Sequence, residues 1–262
     1  MIYELNHFGI VIRDLEKSLD FYQGLFGAKV VFDGFIESSK TDVRYLQIGG
    51  GMIELLHPHE PGTDETFGVT HIAFLSDSLD EDYERLTAAG FEGLVKPKVA
   101  GTGVGRLAFL RDANGARVEL LQRDVKMRTE PIEHPVVKAF DHYSLVSNDR
   151  EGALRFYRDL LGLRVLSSHE MTGGSKIDYL HYDYDVLELL HSPEPSSDPI
   201  FAHIALRVED VAAAQAAFAE RGVSFEAGTP KPARIGGGSI GVIRDPDGVK
   251  IEVLDRPDLR EL

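Results

Sequence analysis

The stretch Phe201–Val208, FAHIALRV, decides the fold because it has a clear counterpart earlier in the chain, Val69–Leu75, VTHIAFL. Each is an apolar run of strand length with one histidine near its start, His203 or His71. Each is followed by a segment with an acidic start typical of a helix, then by a glycine-rich loop. Both series end in a run of the form D-x-x-G-x-x-x-E, which is DANGARVE at Asp112–Glu119 and DPDGVKIE at Asp245–Glu252.

The two halves of the chain are also similar to each other. Met52–Asp64, MIELLHPHEPGTD, matches Val186–Asp198, VLELLHSPEPSSD, and Asp14–Val31 matches Asp149–Leu166 in the same way. A period of roughly 133 residues indicates a duplication in which each half is itself double. Strand and helix patterns within each quarter follow the order βαβββ.

The repeat predicts an α+β fold in which four βαβββ units form two cup-shaped mixed β-sheet modules. The first module is predicted at 1–125 and the second at 138–262, with a polar, proline-containing linker between them. The units are predicted at about 1–60, 67–123, 138–194 and 200–257. Whether a unit pairs with its neighbour or with a unit of the other half is left open at this point.

Composition excludes several classes of function. The chain has 262 residues, 43% of them hydrophobic, and a net charge of -15. That charge argues against nucleic acid and against an anionic membrane surface as partners. No run approaches the length of a membrane span and no signal peptide is recognised, so a cytoplasmic protein is expected. Because the chain contains no cysteine, a metal site would have to use His, Asp or Glu.

A histidine in the first strand and a glutamate in the last strand recur in all four units. A single strand histidine is more often structural than a ligand, but a carboxylate buried in an apolar strand costs several kcal/mol unless something pairs with it. Imidazole and carboxylate together suit Ni, Zn, Co, Fe or Mn, and we therefore predict a divalent metal cofactor of unknown identity. The predicted ligands are His7, Glu54, His71, Glu119, His142, Glu188, His203 and Glu252.

The chain resembles the vicinal oxygen chelate superfamily, which includes glyoxalase I, epimerases, extradiol dioxygenases and bleomycin-resistance proteins. The resemblance covers essentially the whole chain as tandem glyoxalase-like modules. It is carried by HFGIV, HIAFL, HYSLV and HIALR at the histidine positions and by MIELL, VELL, LELL and IEVL at the glutamate positions. It implies that the eight side chains above are the metal ligands. It further implies Glu119 and Glu252 as catalytic residues, since a metal-bound glutamate of this family can act as general base.

Three functions follow from the resemblance. The first is a metal-dependent lyase or isomerase of the glyoxalase I or epimerase type, which stabilises an enediolate of a small 2-oxo, 2-hydroxy or thioester substrate. The alternatives are an Fe-dependent extradiol ring-cleavage dioxygenase and a non-catalytic, ligand-sequestering protein of the bleomycin-resistance kind. Ring-cleaving members carry a tyrosine three residues before the aspartate of the final turn, where this chain has Val242, so the lyase or isomerase is favoured.

The substrate is expected to be a small molecule, and basic side chains would hold an anionic thiol carrier. Arg44, Arg106 and Arg234 are the candidates for substrate binding. The glycine loops at 100–105 and 235–238 are candidate covers for a ligand, although hairpin turns alone would also require glycine there. A homodimer is left open.

Overall fold

The computed structural model describes residues 1–63, 65–194 and 200–261. In the first half the strands are β1 Ile2–Val11, β2 Lys29–Ile36, β3 Thr41–Ile48, β4 Gly51–Pro58, β5 Gly68–Ser76, β6 Gly93–Val99, β7 Arg106–Arg111 and β8 Arg117–Gln122. In the second half they are β9 Val137–Ser147, β10 Arg164–Glu170, β11 Lys176–Tyr182, β12 Asp185–His191, β13 Phe201–Val208, β14 Lys231–Pro232, β15 Ser239–Arg244 and β16 Lys250–Leu254. The helices are α1 Leu15–Phe26, α2 Leu79–Ala88, α3 Arg150–Leu154 and α4 Val211–Ala219, and α3 continues as a π-helical segment, Arg155–Leu160.

Each half forms one eight-stranded mixed sheet, in the order β2-β3-β4-β1-β5-β8-β7-β6 and its counterpart β10-β11-β12-β9-β13-β16-β15-β14. Neighbouring units therefore share a sheet, which answers the pairing question that the sequence left open. The first strands of the two units lie antiparallel at the centre, and each runs parallel to the last strand of its own unit. This α+β arrangement of two modules confirms the predicted fold class.

Helix ends follow local sequence signals. The Asp14 side chain accepts a hydrogen bond from the Lys17 amide at the start of α1, and Asp149 and Asp210 cap α3 and α4 in the same way. Helix α1 ends at Gly27, whose φ of 64° lies in the left-handed region that favours glycine. Similar caps at equivalent places are consistent with the duplication.

The two halves are joined by one continuous apolar core rather than by the linker alone. This core contains buried residues from both sheets and from all four helices. Phe26 of α1 packs against Phe218 of α4 with ring centroids 5.7 Å apart, so the first helix lies beside the fourth. The second unit likewise meets the third, with Phe91 and Phe156 4.6 Å apart.

Two buried tyrosines form equivalent hydrogen bonds between the halves. The hydroxyl of Tyr22 donates to Asp245 at 2.8 Å, and that of Tyr157 donates to Asp112 at 3.0 Å. Both aspartates belong to the D-x-x-G turns that the repeat identified. Burial raises the pKa of the Asp245 carboxyl to about 6, although the hydroxyl and neighbouring backbone amides act in the opposite direction.

Candidate metal centre

Four adjacent strands at the centre of the first sheet carry the first predicted quartet. Glu54 lies on β4, His7 on β1, His71 on β5 and Glu119 on β8. In the register, Gly9 lies between Glu54 and His71. Ala73 lies in the same way between His7 and Glu119. Side chains two apart on a strand share a face, so all four ligand candidates point to one side of the sheet.

The four side chains converge with spacing that suits one metal ion. The Nε2 atom of His7 lies 3.5 Å from an oxygen of Glu54 and 3.5 Å from one of Glu119. The corresponding distances from His71 Nε2 are 3.4 and 3.3 Å. Ligands at metal–ligand bonds of about 2.1 Å are separated by about 3.0 Å at right angles and about 3.4 Å in a tetrahedron.

Buried polar atoms in this cluster lack hydrogen-bond partners. They are Nε2 of His7, Nε2 of His71 and Oε2 of Glu119, and the whole quartet is buried. Since unpaired buried polar groups are costly, these atoms indicate that a ligand completes the site. Two imidazoles and two carboxylates fit the divalent metals named above, so the residues present fit the implied cofactor.

Neighbouring polar groups orient both imidazoles. His7 Nδ1 lies 2.9 Å from Asn6 Oδ1, which also accepts a hydrogen bond from Arg123 at 2.8 Å. Thr70 donates its hydroxyl to the Gly9 carbonyl at 3.3 Å, so the hydroxyl oxygen can accept from His71 Nδ1, 3.2 Å away. Each contact assigns a proton to Nδ1 and leaves Nε2 to face the centre of the quartet.

The charges within the quartet stabilise one another. Burial opposes ionisation of Glu54 and Glu119, but the facing imidazoles outweigh it and lower the pKa of both carboxyls. Burial likewise disfavours a charged His71, yet the two carboxylates that face its Nε2 raise its pKa to about 9. The pair of buried carboxylates therefore requires positive charge close by, which protons or a divalent cation can supply.

A cavity of about 620 Å³ opens onto this quartet. Its walls include His71, Glu54 and Glu119 together with apolar side chains such as Phe32 and Met127. The loop predicted as a cover, 100–105, contributes Ala100 to Thr102 and Val104. A pocket of this size and mixed character suits a small-molecule substrate.

The second predicted quartet is arranged differently. Nε2 of His203 lies 3.3 Å from an oxygen of Glu188 and 3.5 Å from one of Glu252, and His142 Nε2 lies 3.5 Å from Glu188. Among the residues that the structure describes, the mutually close set contains His142, Glu188 and His203 but not Glu252. The other oxygen of Glu252 is 2.6 Å from the ammonium of Lys250, which already supplies a positive charge.

A hydrogen bond joins the two histidines of the second quartet, with the Nε2 atoms of His142 and His203 3.1 Å apart. Ala202 occupies the position of Thr70, and His203 Nδ1 is accordingly a buried atom without a partner. Ser144 occupies the position of Gly9, and its hydroxyl donates to Glu188 at 2.7 Å. The first quartet is therefore better prepared than the second to bind a metal ion.

The predicted substrate-binding arginines lie in three different places. Arg44 donates to the carbonyls of Gly34 and Val43 and does not line the cavity of the first quartet. Arg106 forms an ion pair with the exposed Asp80, again outside that cavity. Arg234 lines a separate cavity of about 400 Å³ at the second quartet.

Sequence reasoning missed the arginines that do line the first cavity, Arg111, Arg117 and Arg123. The guanidinium of Arg117 stacks 3.8 Å from the centre of the Phe109 ring. Arg123 could have been found from the repeat, because Arg256 occupies the equivalent position in the second half and contacts Asp141, the counterpart of Asn6.

The fold and the quartets define a class of proteins with tandem cup-shaped modules and a His/Glu metal centre. A family model described as "Glyoxalase/Bleomycin resistance protein/Dioxygenase superfamily" matches residues 4–120 and 139–253, and the chain belongs to this superfamily. A lactoylglutathione lyase of Schizosaccharomyces pombe is 24% identical over 97% of this chain and 97% of its own length.

Solved structures of the same fold include a Mn(II)-bound glyoxalase from Novosphingobium aromaticivorans, with a TM-score of 0.71, 18% identity and coverage of 98% of this chain and 84% of that one. They also include the 2,3-dioxygenase LapB from Pseudomonas sp. KL28, with a TM-score of 0.70, 15% identity and coverage of 96% and 91%. At such identities these likenesses show the fold alone.

Together these findings confirm the predicted class, a metal-dependent enzyme, and favour the lyase over the dioxygenase. The structure adds that Val242, at the position of the dioxygenase tyrosine, pairs with Glu252 in the sheet and offers no acid or base. Within the described ranges, no helix combines the length and apolar character that a membrane span requires.

Proposed function

We propose that the chain is a metal-dependent lyase or isomerase of the glyoxalase I type, active at His7, Glu54, His71 and Glu119. The single observation that carries this proposal is the buried quartet with unpartnered ligand atoms at the base of a cavity of about 620 Å³. The proposed substrate is a 2-oxo or 2-hydroxy compound linked to a thiol, with neighbouring oxygens that can approach the quartet together.

A divalent cation held by these four side chains would act as a Lewis acid that stabilises negative charge on neighbouring substrate oxygens. The chain's own residues handle the proton. Glu119 is the proposed base because its buried Oε2 has no hydrogen-bond partner. A carboxylate oxygen without a hydrogen-bond partner can turn toward the substrate.

The proposed proton transfer is balanced within the substrate. Glu119 removes the proton from the carbon that bears the hydroxyl group, and the electron pair passes into the adjacent carbonyl to give an enediolate. The same carboxyl group then returns the proton to the neighbouring carbon. The hydroxyl proton passes to the oxygen of the former carbonyl, so one C–H and one O–H bond are broken and one of each is formed. No external oxidant or reductant is required.

The cavity's arginines support an anionic thiol carrier. Arg117 is oriented by its stacking on Phe109, and Arg123 is held against Asn6 and the Tyr45 ring. Guanidinium groups match carboxylates and phosphates by paired hydrogen bonds. Since a relative is named lactoylglutathione lyase, a hemithioacetal of glutathione is the first substrate to test, followed by 2-substituted acyl-CoA esters.

Matched variants of the two quartets test the proposal. Glu119→Gln removes the proposed base from the first quartet, and Glu252→Gln makes the equivalent change in the second. Turnover of hemithioacetals should fall by on the order of a thousandfold or more in Glu119→Gln and remain within a few fold in Glu252→Gln. The reverse pattern would move the activity to the second quartet, and full turnover in both variants would refute the role of the quartets.

Other predictions from the sequence are retained as part of the proposal. They are a cytoplasmic location, module boundaries at 1–125 and 138–262, no nucleic-acid or membrane partner, and a homodimer as an open question. The net charge of -15 supports the expectation about nucleic acid. Light scattering on the purified protein would determine the oligomeric state.

A further inference from the structure

A third cluster of metal-ligating side chains lies at the end of the β3–β4 hairpin, outside both quartets. The Oδ2 atom of Asp42 is 3.3 Å from Nδ1 of His57 and 2.7 Å from Nε2 of His59. We propose that Asp42, His57 and His59 bind one exchangeable divalent cation of the Zn²⁺, Ni²⁺ or Cu²⁺ type, with water at the remaining positions. Two imidazoles and one carboxylate are a donor set that these ions accept.

The backbone places these three groups on one side of the hairpin. His57 on β4 lies directly opposite Asp42 on β3 in the register. His59 is two residues further along, so its side chain emerges on the same side as that of His57. The His59 amide donates to the Lys40 carbonyl at 2.9 Å, which holds the chain in position beyond the end of β4.

The ligand atoms are close to one another and reachable from solvent. One atom from each residue lies within 4.8 Å of the others. The exposed fractions of the side chains are 20% for Asp42, 24% for His57 and 46% for His59. A cation could therefore enter and leave without any opening of the fold.

Arg44 supports the carboxylate without occupying the proposed site. Its Nη2 is 3.8 Å from Oδ1 of Asp42, whereas both histidines face Oδ2. Its Nη1 is committed to Asp33, 3.0 Å away, and to backbone carbonyls. The Arg44–Asp42 ion pair places a positive charge beside the far oxygen of Asp42 and leaves Oδ2 to face the two histidines.

The second half of the chain provides an internal comparison. There Lys176 stands opposite His191 in the register, where the first half has Asp42 opposite His57, and Pro193 takes the place of His59. His191 turns instead to Asp178, 2.9 Å away. The cluster is thus specific to the first half. Because the second half forms the same sheet without it, the fold alone does not require these three side chains.

The proposed site is independent of the proposed catalytic centre. Tyr45 on β3 and Glu54 on β4 lie opposite each other and face the cavity. Asp42 is three residues from Tyr45 along β3, and His57 is three residues from Glu54 along β4. An odd separation along a strand places side chains on the opposite face. The failure of either proposal therefore leaves the other standing.

Calorimetric titration of the full chain, purified without an affinity tag and with its buried sites loaded, tests this inference. Wild type should bind one equivalent of Zn²⁺ per chain more than either His57→Gln or His59→Gln. His181→Gln, a change at a partly exposed strand histidine outside the cluster, should retain that equivalent, and all four proteins should keep equal turnover. The proposal is overturned if wild type takes no additional equivalent, or if both cluster variants keep it.

Discussion

Replacing Gly9 by alanine should selectively impair metal binding at the first quartet. A Cβ atom at Gly9 would lie 1.9 Å from Cε1 and 2.3 Å from Nε2 of His71, whereas ordinary contact begins near 3.4 Å. The buried imidazole would have to move by about 1.5 Å, while functional metal–ligand distances tolerate only about 0.2 Å. We therefore expect metal affinity to fall by at least about 10-fold to 100-fold, the range seen when the support of a ligand is lost.

The assay is calorimetric titration of metal-free protein with Zn²⁺. Glu188→Gln and His59→Gln are present in both proteins, so that neither the second quartet nor the Asp42 cluster contributes. Thermal unfolding in the presence of a chelator reports the separate cost of overpacking, about 1–3 kcal/mol. Ser144→Gly, at the equivalent position of the second half, is the matched control and should leave the first quartet unaffected. A folded Gly9→Ala protein that binds Zn²⁺ as tightly as its parent would refute the reasoning.

Three further predictions concern other contacts. Thr70→Ala removes the hydroxyl that contacts His71, so that its Nδ1 lacks a partner as that of His203 does. Metal affinity should then fall by about 10-fold to 100-fold in the same titration, and an unchanged affinity would contradict the role of the hydroxyl. Tyr157→Phe removes the buried hydrogen bond to Asp112 between the halves and should lower the free energy of unfolding in urea by about 1–2 kcal/mol, with no loss if the contact is only incidental. The third concerns Asp245, whose folded-state pKa of about 6 lies above its ordinary value of 3.8, so its contribution to stability is present below pH 3.8 and is lost as pH rises through 6. Asp245→Asn removes this titration, and urea unfolding between pH 4 and 7 should show wild type losing on the order of 3 kcal/mol relative to the variant, whereas a constant difference would contradict the shifted pKa.

Much of the candidate site was accessible from the repeat. His7 and His71 were found because each opens a strand at the same place in its unit, and Glu54 and Glu119 because a carboxylate in an apolar final strand requires a partner. Arg44 shows where this approach fails, since a basic residue in a strand gives no indication of which side of the sheet it occupies. Its contacts to Asp33 and Asp42 became known only from the fold.

The difference between the quartets shows the same limit. All eight ligand candidates are present in the sequence, and nothing in their spacing separates the two sets. The distinction depends on contacts that the spacing does not show. Lys250 reaches Glu252 on the same strand, Ser144 lies opposite His203 on the neighbouring strand, and a hydrogen bond joins His142 to His203. Such contacts depend on the register and the direction of each side chain.

The sequence by itself determined the duplication, the βαβββ order of each unit, the superfamily and the eight ligand candidates. These features are local or periodic, and a repeated pattern of strand, helix, turn and charged residue records them directly. Only the tertiary structure decided that neighbouring units share a sheet while helices pair between the halves, that the first quartet opens on a cavity lined by Arg117 and Arg123, and that Asp42 meets His57 and His59. These outcomes depend on contacts between segments far apart in the chain, where packing of the shared core selects one arrangement among several that the same local pattern permits.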